Sequence, residues 1–454
     1  MTQTPVQPGP PPAQPPAPRY AELPPSLKLN GPQMTRRWIT RQPETIIELH
    51  ERFGDVASVH FAGRRHAFLT RAPADIETLF KAPPKHVPVA TAGSPIGPFV
   101  GEHSLLTLNG SRHLRHRKLL LPPFHGDRMR AYRDDIRQIA ADEIASWHPG
   151  QAMPLQPRMQ SITLEVILRI VFGVDDTARL DALRAAIIRM LTMSGNRWLI
   201  VPTFIAAVRA GRLLGPIGKC AAEVDRLIYR EIETRRRAAD LESRGDVLSM
   251  LLTARDEDGE PMNDQELRDE LVTLLFAGHE TTATALSWTF ERLVRHPEAM
   301  ARATEAAEGD DPDGVIDATF QETLRIRPVV PATARLLQAP MELSGYALQP
   351  DQLVILSILG ACRHPDRYDD PDAFNPERFV GGKTDAYSWI PFGGGVRRCV
   401  GAAFANLEGR EVMREVLRRT KLEALDSADE RMRRRNVTLV PERGAMVRVI
   451  RVDR

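Results

Sequence analysis

The chain has 454 residues, of which 42% are hydrophobic and 26% are charged, and its formal net charge is +2. This composition is close to the average for globular proteins and excludes a mostly disordered chain. The small net charge provides no overall basic field for a nucleic-acid partner. No run of about 18 apolar residues occurs, so the sequence predicts no membrane-spanning segment.

The N-terminal segment is rich in proline, with ten prolines within residues 1–25. This composition is unlike that of a signal peptide or a membrane anchor, and it predicts a disordered, polyproline-like tail over residues 1–30. We expect residues 31–454 to form one domain, because the candidate site residues described below come from distant segments of that range and must meet at one site.

The apolar pattern predicts secondary structure in chain order. Near the N terminus it predicts a helix, two strands of a hairpin and a short helix, over residues 43–53, 56–61, 66–70 and 73–81. Long helical patterns follow over residues 127–147, 159–172, 178–192, 219–239 and 263–295. Beyond residue 335 the pattern predicts short strands, a Pro-rich irregular segment, one more helix and a final strand pair around 436–450.

The longest predicted helix has an unusual centre, which reads Ala277-Gly278-His279-Glu280-Thr281-Thr282. Glycine and threonine have poor helix propensity, and a threonine hydroxyl can bond back to the carbonyl four residues earlier and bend the turn. Such a local mismatch inside a strong helix indicates a functional site. Helical spacing places four residues near one face, where small side chains leave room for a ligand: Leu274, Gly278, Thr281 and Ala285.

Two weaker motifs follow. Glu322 and Arg325 lie at i and i+3 of a predicted helix and can therefore form an ion pair on one face, although such pairs are common. Further along, the segment Pro376-Glu377-Arg378-Phe379 carries a second arginine. Buried arginines need carboxylate partners, so we interpret this set as structural.

Residues 392–401 read Phe-Gly-Gly-Gly-Val-Arg-Arg-Cys-Val-Gly and predict a loop that presents Cys399 as a metal ligand. The three glycines allow positive φ angles and close approach to a flat partner. The predicted helix after the cysteine favours a thiolate through its N-terminal N–H groups. Phe392 is placed to shield the sulfur, and Arg397 is placed to reach an anionic group. The ordinary alternative is a Gly-rich turn that holds a buried cysteine.

The pattern F-x-x-G-x-R-x-C-x-G resembles the haem-binding loop of the cytochrome P450 family, the haem-thiolate monooxygenases, in their soluble bacterial form. The segments Ala-Gly-His-Glu-Thr-Thr, Glu-x-x-Arg and Pro-Glu-Arg-Phe are similar to the other motifs of that family and occur in its order. The resemblance implies a mainly α fold with a small β portion (α+β). It also implies haem b between the long central helix and the Cys399 loop, with Cys399 as the iron ligand.

The resemblance also implies roles for the other candidate residues. Glu280 is the acid and Thr281 the hydroxyl residue that manage proton delivery when O₂ is split. Glu322, Arg325 and Arg378 are structural. The haem contacts come from eight residues, of which four would bind the propionates: His113, Arg117, Arg335 and Arg397, together with Ala277, Gly278, Phe392 and Gly401. The basic run at residues 112–118 has a plainer alternative, a solvated helix face.

By resemblance, the substrate pocket would be lined by Phe99, Leu274, Val329 and Val330, with further apolar side chains around them: Val87, Pro95, Val100, Trp198, Leu199, Phe204, Phe276 and Ala332. Such a lining suits a lipophilic molecule, namely a terpenoid, fatty acid, steroid or polyketide-like compound. Ordinary core packing is the alternative for each of these residues.

The resemblance implies a monooxygenase that inserts one atom of O₂ into its substrate. No fused flavin or iron–sulfur segment occurs, so electrons from NAD(P)H would arrive through a ferredoxin or flavodoxin and its reductase. A positive patch would receive that acidic carrier: Arg115, His116, Lys118, Arg398, Arg410, Arg414, Arg418 and Arg419. We expect a monomer. Alternatives are a peroxide-using enzyme, an isomerase or coupling enzyme, and a haem sensor, although the Glu280–Thr281 pair favours the monooxygenase.

Overall fold

The computed structural model describes residues 23–63, 66–90, 97–126, 128–174, 176–195, 213, 215–382 and 384–453. Within these ranges the α-helices are α1 (Gly31–Thr40), α2 (Gln42–Phe53), α3 (Pro73–Lys81), α4 (Gly97–Val100), α5 (Gly110–Leu120), α6 (Arg128–Ile144), α7 (Leu155–Ile170), α8 (Thr177–Gly195), α9 (Gly215–Arg236), α10 (Val247–Thr253), α11 (Asp264–Leu293), α12 (Pro297–Glu308), α13 (Val315–Ile326), α14 (Ile358–Ala361) and α15 (Ala402–Arg419). The predicted mainly α fold is confirmed.

The strands of the same part of the chain are short. They are β1 (Val56–His60), β2 (His66–Thr70), β3 (Ala152–Pro154), β4 (Ala332–Leu336), β5 (Met341–Leu343), β6 (Tyr346–Leu348), β7 (Leu353–Ser357), β8 (Thr420–Ala424), β9 (Met432–Arg435), β10 (Thr438–Pro441) and β11 (Met446–Val452). The largest sheet has the order β1-β2-β7-β4. Its last strand places Arg335 opposite Val354 and so fixes the direction in which this arginine leaves the sheet.

Helix α11 forms the centre of the helical body and runs for 30 residues without a break. Its start is fixed by a capping box, because Asn263 Oδ1 accepts from the Glu266 N–H and Glu266 Oε2 accepts from the Asn263 N–H, each at 2.9 Å. Its buried residues run from Leu267 to Leu293, and both of these belong to the main core, whereas Asp264 and Gln265 at its start are exposed. Its middle third carries the predicted Glu280–Thr281 site.

The predicted final strand pair around 436–450 is wrong. Strand β10 pairs with β9, and β11 pairs with β3 and β8. A tight turn at Asn436, whose φ is 56°, folds the chain back on the preceding residues. Those residues, Met432-Arg-Arg-Arg, lack the apolar alternation by which a strand is predicted.

Part of the segment predicted to be a tail packs on the body. Leu27 is buried, and the Ser58 N–H donates to the Pro25 carbonyl at 2.8 Å. Packed structure therefore begins before residue 31, while residues 1–22 lie outside the described part of the chain. Among the helices that the structure describes, none has both the length and the apolarity needed to cross a membrane.

Candidate functional site

The Cys399 loop is closed by a backbone hydrogen bond from the Cys399 N–H to the Phe392 carbonyl at 2.9 Å. Gly393 and Gly395 have φ angles of 65° and 59°, in the left-handed region that favours glycine. Helix α15 then begins at Ala402, with Gly401 as its N-cap. The loop and helix end together present the sulfur just before the first helical turn.

The close partner of the glycine run is Phe80 of α3. A Cβ atom at Gly394 would overlap the Phe80 ring, and one at Gly395 would lie 2.5 Å from the Phe80 carbonyl oxygen. The flat partner expected from the sequence is therefore, at these two positions, a phenylalanine of the protein itself. Packing against α3 fixes the loop from the outside.

The expectation that the helix end alone would favour a thiolate is wrong. Burial raises the pKa of the Cys399 thiol, and the Gly401 N–H, Arg117 and Arg398 lower that pKa by a smaller amount. The side chain nonetheless stays accessible. A bound metal cation would supply the missing stabilisation, since coordination deprotonates a thiol outright.

A cluster of cations lies beside this loop. Arg335 is 6% exposed and donates to Thr333 Oγ1 and the Ala334 carbonyl, at 3.0 and 2.9 Å, and burial lowers its pKa to about 10. Burial, followed by repulsion from Arg335 and Arg117, lowers the pKa of Arg397 to about 10. The structure therefore brings together three of the predicted propionate ligands.

His113 completes the cluster. Burial, followed by repulsion from Arg397 and Arg117, lowers the pKa of the His113 imidazole to about 3. Arg117 donates from Nη1 to the Arg398 carbonyl at 2.6 Å and so lies between the cluster and the Cys399 loop. Among the described residues, the hydrogen bonds of the three arginines go to carbonyl, hydroxyl and amide oxygens and none goes to a carboxylate. The guanidinium groups of Arg117 and Arg335 repel that of Arg397, and the neutral His113 imidazole can donate a hydrogen bond. Such a set favours an anionic ligand, and the two carboxylates of a haem fit this place.

Arg397 is also tied to the loop before α5. Its guanidinium donates to the carbonyls of Leu105 and Leu108, and to Asn109 Oδ1 at 2.6 Å. Asn109 Oδ1 in turn accepts from the Val89 N–H at 3.0 Å. This arginine therefore orders the loop, in addition to facing the cation cluster.

The centre of α11 lies against α7. The Thr281 hydroxyl donates to the Ala277 carbonyl, four residues earlier. A Cβ atom at Gly278 would lie 2.9 Å from Ile167 Cδ1 of α7. Because Gly278 has no side chain, helix α7 can pack closely against α11 at this position. Helix packing therefore accounts for the glycine, whereas the sequence predicted a haem contact there.

Glu280 is held by two side chains. Gln160 Nε2 of α7 donates to Glu280 Oε2 at 2.7 Å, and Arg435 Nη2 of β9 forms an ion pair with Glu280 Oε1. The preceding residue is fixed as well, because Thr163 Oγ1 donates to the His279 carbonyl at 3.0 Å. Burial lowers the pKa of His279.

The predicted pocket residues lie around the same part of α11. Phe99 of α4 and Phe276 of α11 form an edge-to-face pair with ring centroids 6.0 Å apart. Leu274 packs on the main core, Val330 is half-buried, and the Val329 carbonyl accepts from the Leu439 N–H at 2.7 Å. Four other predicted lining residues lie outside the described part of the chain: Pro95, Trp198, Leu199 and Phe204.

Glu322 and Arg325 form a fully buried ion pair, with Nε to Oε2 at 2.6 Å and Nη2 to Oε1 at 2.8 Å. The Asn375 N–H donates to Glu322 Oε1 at 2.8 Å, and Arg378 Nε lies 3.7 Å from that oxygen. The irregular segment before the Cys399 loop is therefore attached to α13 through one carboxylate.

Most of the predicted positive patch is neutralised or buried. His116 is buried, with Nδ1 2.7 Å from Glu270 Oε1 of α11. Five of the other seven residues form ion pairs with carboxylates of the protein, and Arg115 contacts both Asp256 and Glu266. The remaining four are Lys118, Arg410, Arg414 and Arg419. Arg398 and Arg418 stay exposed.

Sequence reasoning missed three polar residues around α11, which are Gln160, Arg435 and Glu408. Glu408 of α15 is 1% exposed, its Oε1 has no hydrogen-bond partner, and burial raises its pKa to about 8 against a smaller lowering effect of Thr282. No local pattern marks any of the three, because their importance comes from contacts between distant segments. For Glu408 alone the sequence offers a signal, which is a glutamate at a core-facing position of a helix.

Comparison with known proteins assigns the class. The family model described as Cytochrome P450 matches residues 22–449, and the chain belongs to this family. A relative named "Putative cytochrome P450 135B1", from Mycobacterium tuberculosis strain H37Rv, is 40% identical over 432 residues, covering 94% of this chain and 91% of the relative. A Mycobacterium bovis relative named "Putative cytochrome P450 138" is 34% identical, covering 95% of this chain and 97% of the relative.

Solved structures agree on the fold. "Retinoic acid bound cyanobacterial CYP120A1" has a TM-score of 0.79 at 22% identity, covering 94% of this chain and 99% of that one. "Crystal structure of cytochrome P450DA heme domain" has a TM-score of 0.80 at 23% identity, covering 94% and 97%. Family membership means that the chain belongs to a class of haem enzymes that are in general monooxygenases and use redox partners and O₂.

Proposed function

We propose that this protein is a haem-thiolate monooxygenase that oxidises a lipophilic small molecule with O₂ and electrons from NAD(P)H. One observation carries the proposal: three buried or half-buried arginines, for which the described residues provide no carboxylate partner, lie with His113 beside the Cys399 loop. Haem b has both the iron for Cys399 and the carboxylates for Arg335 and Arg397. A haem sensor would need the thiolate but not the Glu280–Thr281 pair.

Each predicted site residue has a proposed part in holding that haem. Cys399 ligates the iron, and the propionates face the guanidinium groups of Arg117, Arg335 and Arg397 and the neutral imidazole of His113. Phe392 and Gly401 flank the cysteine, and Ala277 and Gly278 give α11 the small cross-section that a flat ring requires. Glu322, Arg325 and Arg378 keep the Cys399 loop in place.

When bound, the haem supplies the iron at which O₂ is activated. The Thr281 hydroxyl donates its only proton to the Ala277 carbonyl, so its oxygen is left to accept a hydrogen bond from a water molecule. Glu280, the next residue along the chain, is 22% exposed and can exchange protons with solvent. Together the two residues can hold a water and renew its proton.

The substrate would lie against Phe99, Leu274, Val329 and Val330, which offer an apolar wall without charge. One structural relative is described as retinoic acid bound, which makes that lipophilic acid a suitable first compound for this chain. A ferredoxin or flavodoxin with its NAD(P)H-dependent reductase would dock on the Cys399 side, where Arg398 is exposed. We also propose one domain over residues 31–454, on which the segment around Leu27 packs, together with a monomer and a cytoplasmic location.

The test is turnover in a reconstituted system. The purified haem protein would receive NADPH, a ferredoxin and its reductase, with retinoic acid, dodecanoic acid, testosterone or limonene, each first screened for a shift of the haem Soret band. We expect a product that is 16 mass units heavier than one of these compounds and labelled from ¹⁸O₂. Product that forms with peroxide alone and never with O₂ and electrons would refute the proposal.

A further inference from the structure

The hairpin β9–β10 holds Arg435 in a fixed position. Its turn is braced on both sides, because Thr438 Oγ1 donates to the Arg435 carbonyl at 2.9 Å and Arg434 Nε donates to the Asn436 carbonyl at 2.8 Å. Arg434 Nη1 also donates to the Trp38 carbonyl of α1 at 3.3 Å. The backbone from which the Arg435 side chain projects is therefore anchored at three points.

The same hairpin is bonded to the wall of the proposed substrate pocket. The Leu439 N–H of β10 donates to the Val329 carbonyl at 2.7 Å, and Trp288 Nε1 of α11 donates to the Leu439 carbonyl at 2.8 Å. A displacement of Val329 would be transmitted to the hairpin through the first of these bonds. The hairpin therefore contacts both the pocket wall and, through Arg435, the carboxylate of Glu280.

The two contacts of Glu280 differ in rigidity. Gln160 lies on α7, whose packing on α11 is reinforced by the contact of His279 Nε2 with the Gln160 carbonyl at 3.1 Å. Arg435 reaches Glu280 with a long side chain that is 35% exposed, against 22% for Glu280. Both carboxylate oxygens are occupied, so these two contacts together determine where the Glu280 carboxylate lies relative to Thr281. The contact with Arg435 is the one that a movement of the hairpin would change.

We propose that Arg435 is a positioning residue for Glu280, and that hairpin β9–β10 thereby couples the position of the substrate-pocket wall to proton delivery. This inference rests on the proposed function. In this role Glu280 takes a proton from solvent and passes it on, so no net charge accumulates, and Arg435 only holds the carboxylate in place. This positioning role requires that the ion pair of Arg435 and Glu280 exists in solution and that it affects proton delivery by Glu280.

The first measurement needs no substrate. Thermal unfolding of the haem-loaded wild type would be compared with Arg435→Gln, Glu280→Gln and the double variant. If the pair exists, the two single losses in Tm overlap and the double variant is no less stable than the worse single one. Strictly additive losses would overturn the inference. Arg433→Gln is the matched control, because it removes the same charge from an exposed position of the same strand.

The second measurement uses cumene hydroperoxide as a probe of proton delivery. In heterolysis of its O–O bond, a bound haem would supply two electrons, a proton would reach the cumyl oxygen to give 2-phenyl-2-propanol, and the other oxygen would stay at the haem. Homolysis gives the cumyloxyl radical, which loses a methyl radical and becomes acetophenone. We expect Arg435→Gln to lower the alcohol-to-ketone ratio by roughly two- to fivefold, the factor that a partly exposed ion pair represents.

Arg433→Gln should leave the alcohol-to-ketone ratio at the wild-type value. Arg435→Lys keeps the charge and should recover part of the ratio that Arg435→Gln loses. It is also the variant to use if Arg435→Gln does not fold. An unchanged ratio in both Arg435 variants would overturn the inference. A wild type that holds no thiolate-ligated haem would instead contradict the proposed function. In that case the unfolding cycle still decides whether Arg435 and Glu280 interact.

Discussion

Replacing Arg325 with methionine tests the attachment of the Cys399 loop to the helical body. The Arg325 guanidinium makes two short hydrogen bonds to Glu322, at 2.6 and 2.8 Å. It also donates to the carbonyls of Cys362, Pro371 and Ala373 at 3.1, 2.7 and 2.9 Å. Because both charged side chains are fully buried, Arg325→Met leaves the Glu322 carboxylate buried without its main partner.

Breaking such a buried pair costs about 3–5 kcal/mol in free energy of unfolding. For a chain of 454 residues, the unfolding entropy is about 1 kcal/mol per kelvin, so we expect Tm to fall by roughly 4 °C. The assay is calorimetry of the haem-loaded protein at a fixed scan rate. Arg367→Met is the control, since Arg367 is 48% exposed and lies 3.7 Å from Asp385, and its Tm should change by less than about 1 °C.

A Tm for Arg325→Met within about 1 °C of the wild type would refute the reasoning. The double variant Glu322→Gln/Arg325→Met provides a further check, because it removes the orphaned charge. Its Tm should lie above the value expected from adding the two single losses.

Three other predictions address the loop, the pH dependence and the chemistry. Gly394→Ala should lower haem retention, measured by the Soret-to-protein absorbance ratio, because its Cβ overlaps Phe80, whereas Gly382→Ala should not. Burial lowers the pKa of His50 to about 4 from 6.5, so stability should fall by about 3 kcal/mol as pH drops from 6.5 to 4, and His50→Gln should flatten that part of a urea-denaturation profile. Thr281→Ala should keep consuming NADPH while product falls and peroxide rises, whereas Thr281→Ser should stay coupled; equal coupling in all three proteins would remove Thr281 from the mechanism.

The sequence predicted the parts of the site that depend on local pattern. The loop around Cys399, the long helix with Glu280 and Thr281, and the pair of Glu322 and Arg325 all have fixed spacing along the chain. Helix periodicity and glycine chemistry are read from neighbouring residues, so these elements could be located without the structure.

The missed features depend on contacts between distant segments. Arg435 reaches Glu280 across 155 positions in the chain, and an arginine-rich strand has no apolar alternation by which to be recognised. The prediction of a thiolate at Cys399 failed for a related reason. The effect of a helix end is local and can be read from the sequence, whereas the burial that raises the pKa of the Cys399 thiol depends on tertiary packing. Phe80 likewise meets Gly394 only in the folded protein.

The most direct test of the central claim is the difference spectrum of the dithionite-reduced protein with carbon monoxide. Cysteinate ligation predicts a strongly red-shifted Soret band in the wild type and its loss in Cys399→Ser, with haem retained through the cluster of Arg335 and Arg397. A band at the position typical of histidine ligation in the wild type, or a red-shifted band that survives in Cys399→Ser, would contradict the assignment of Cys399 as the iron ligand.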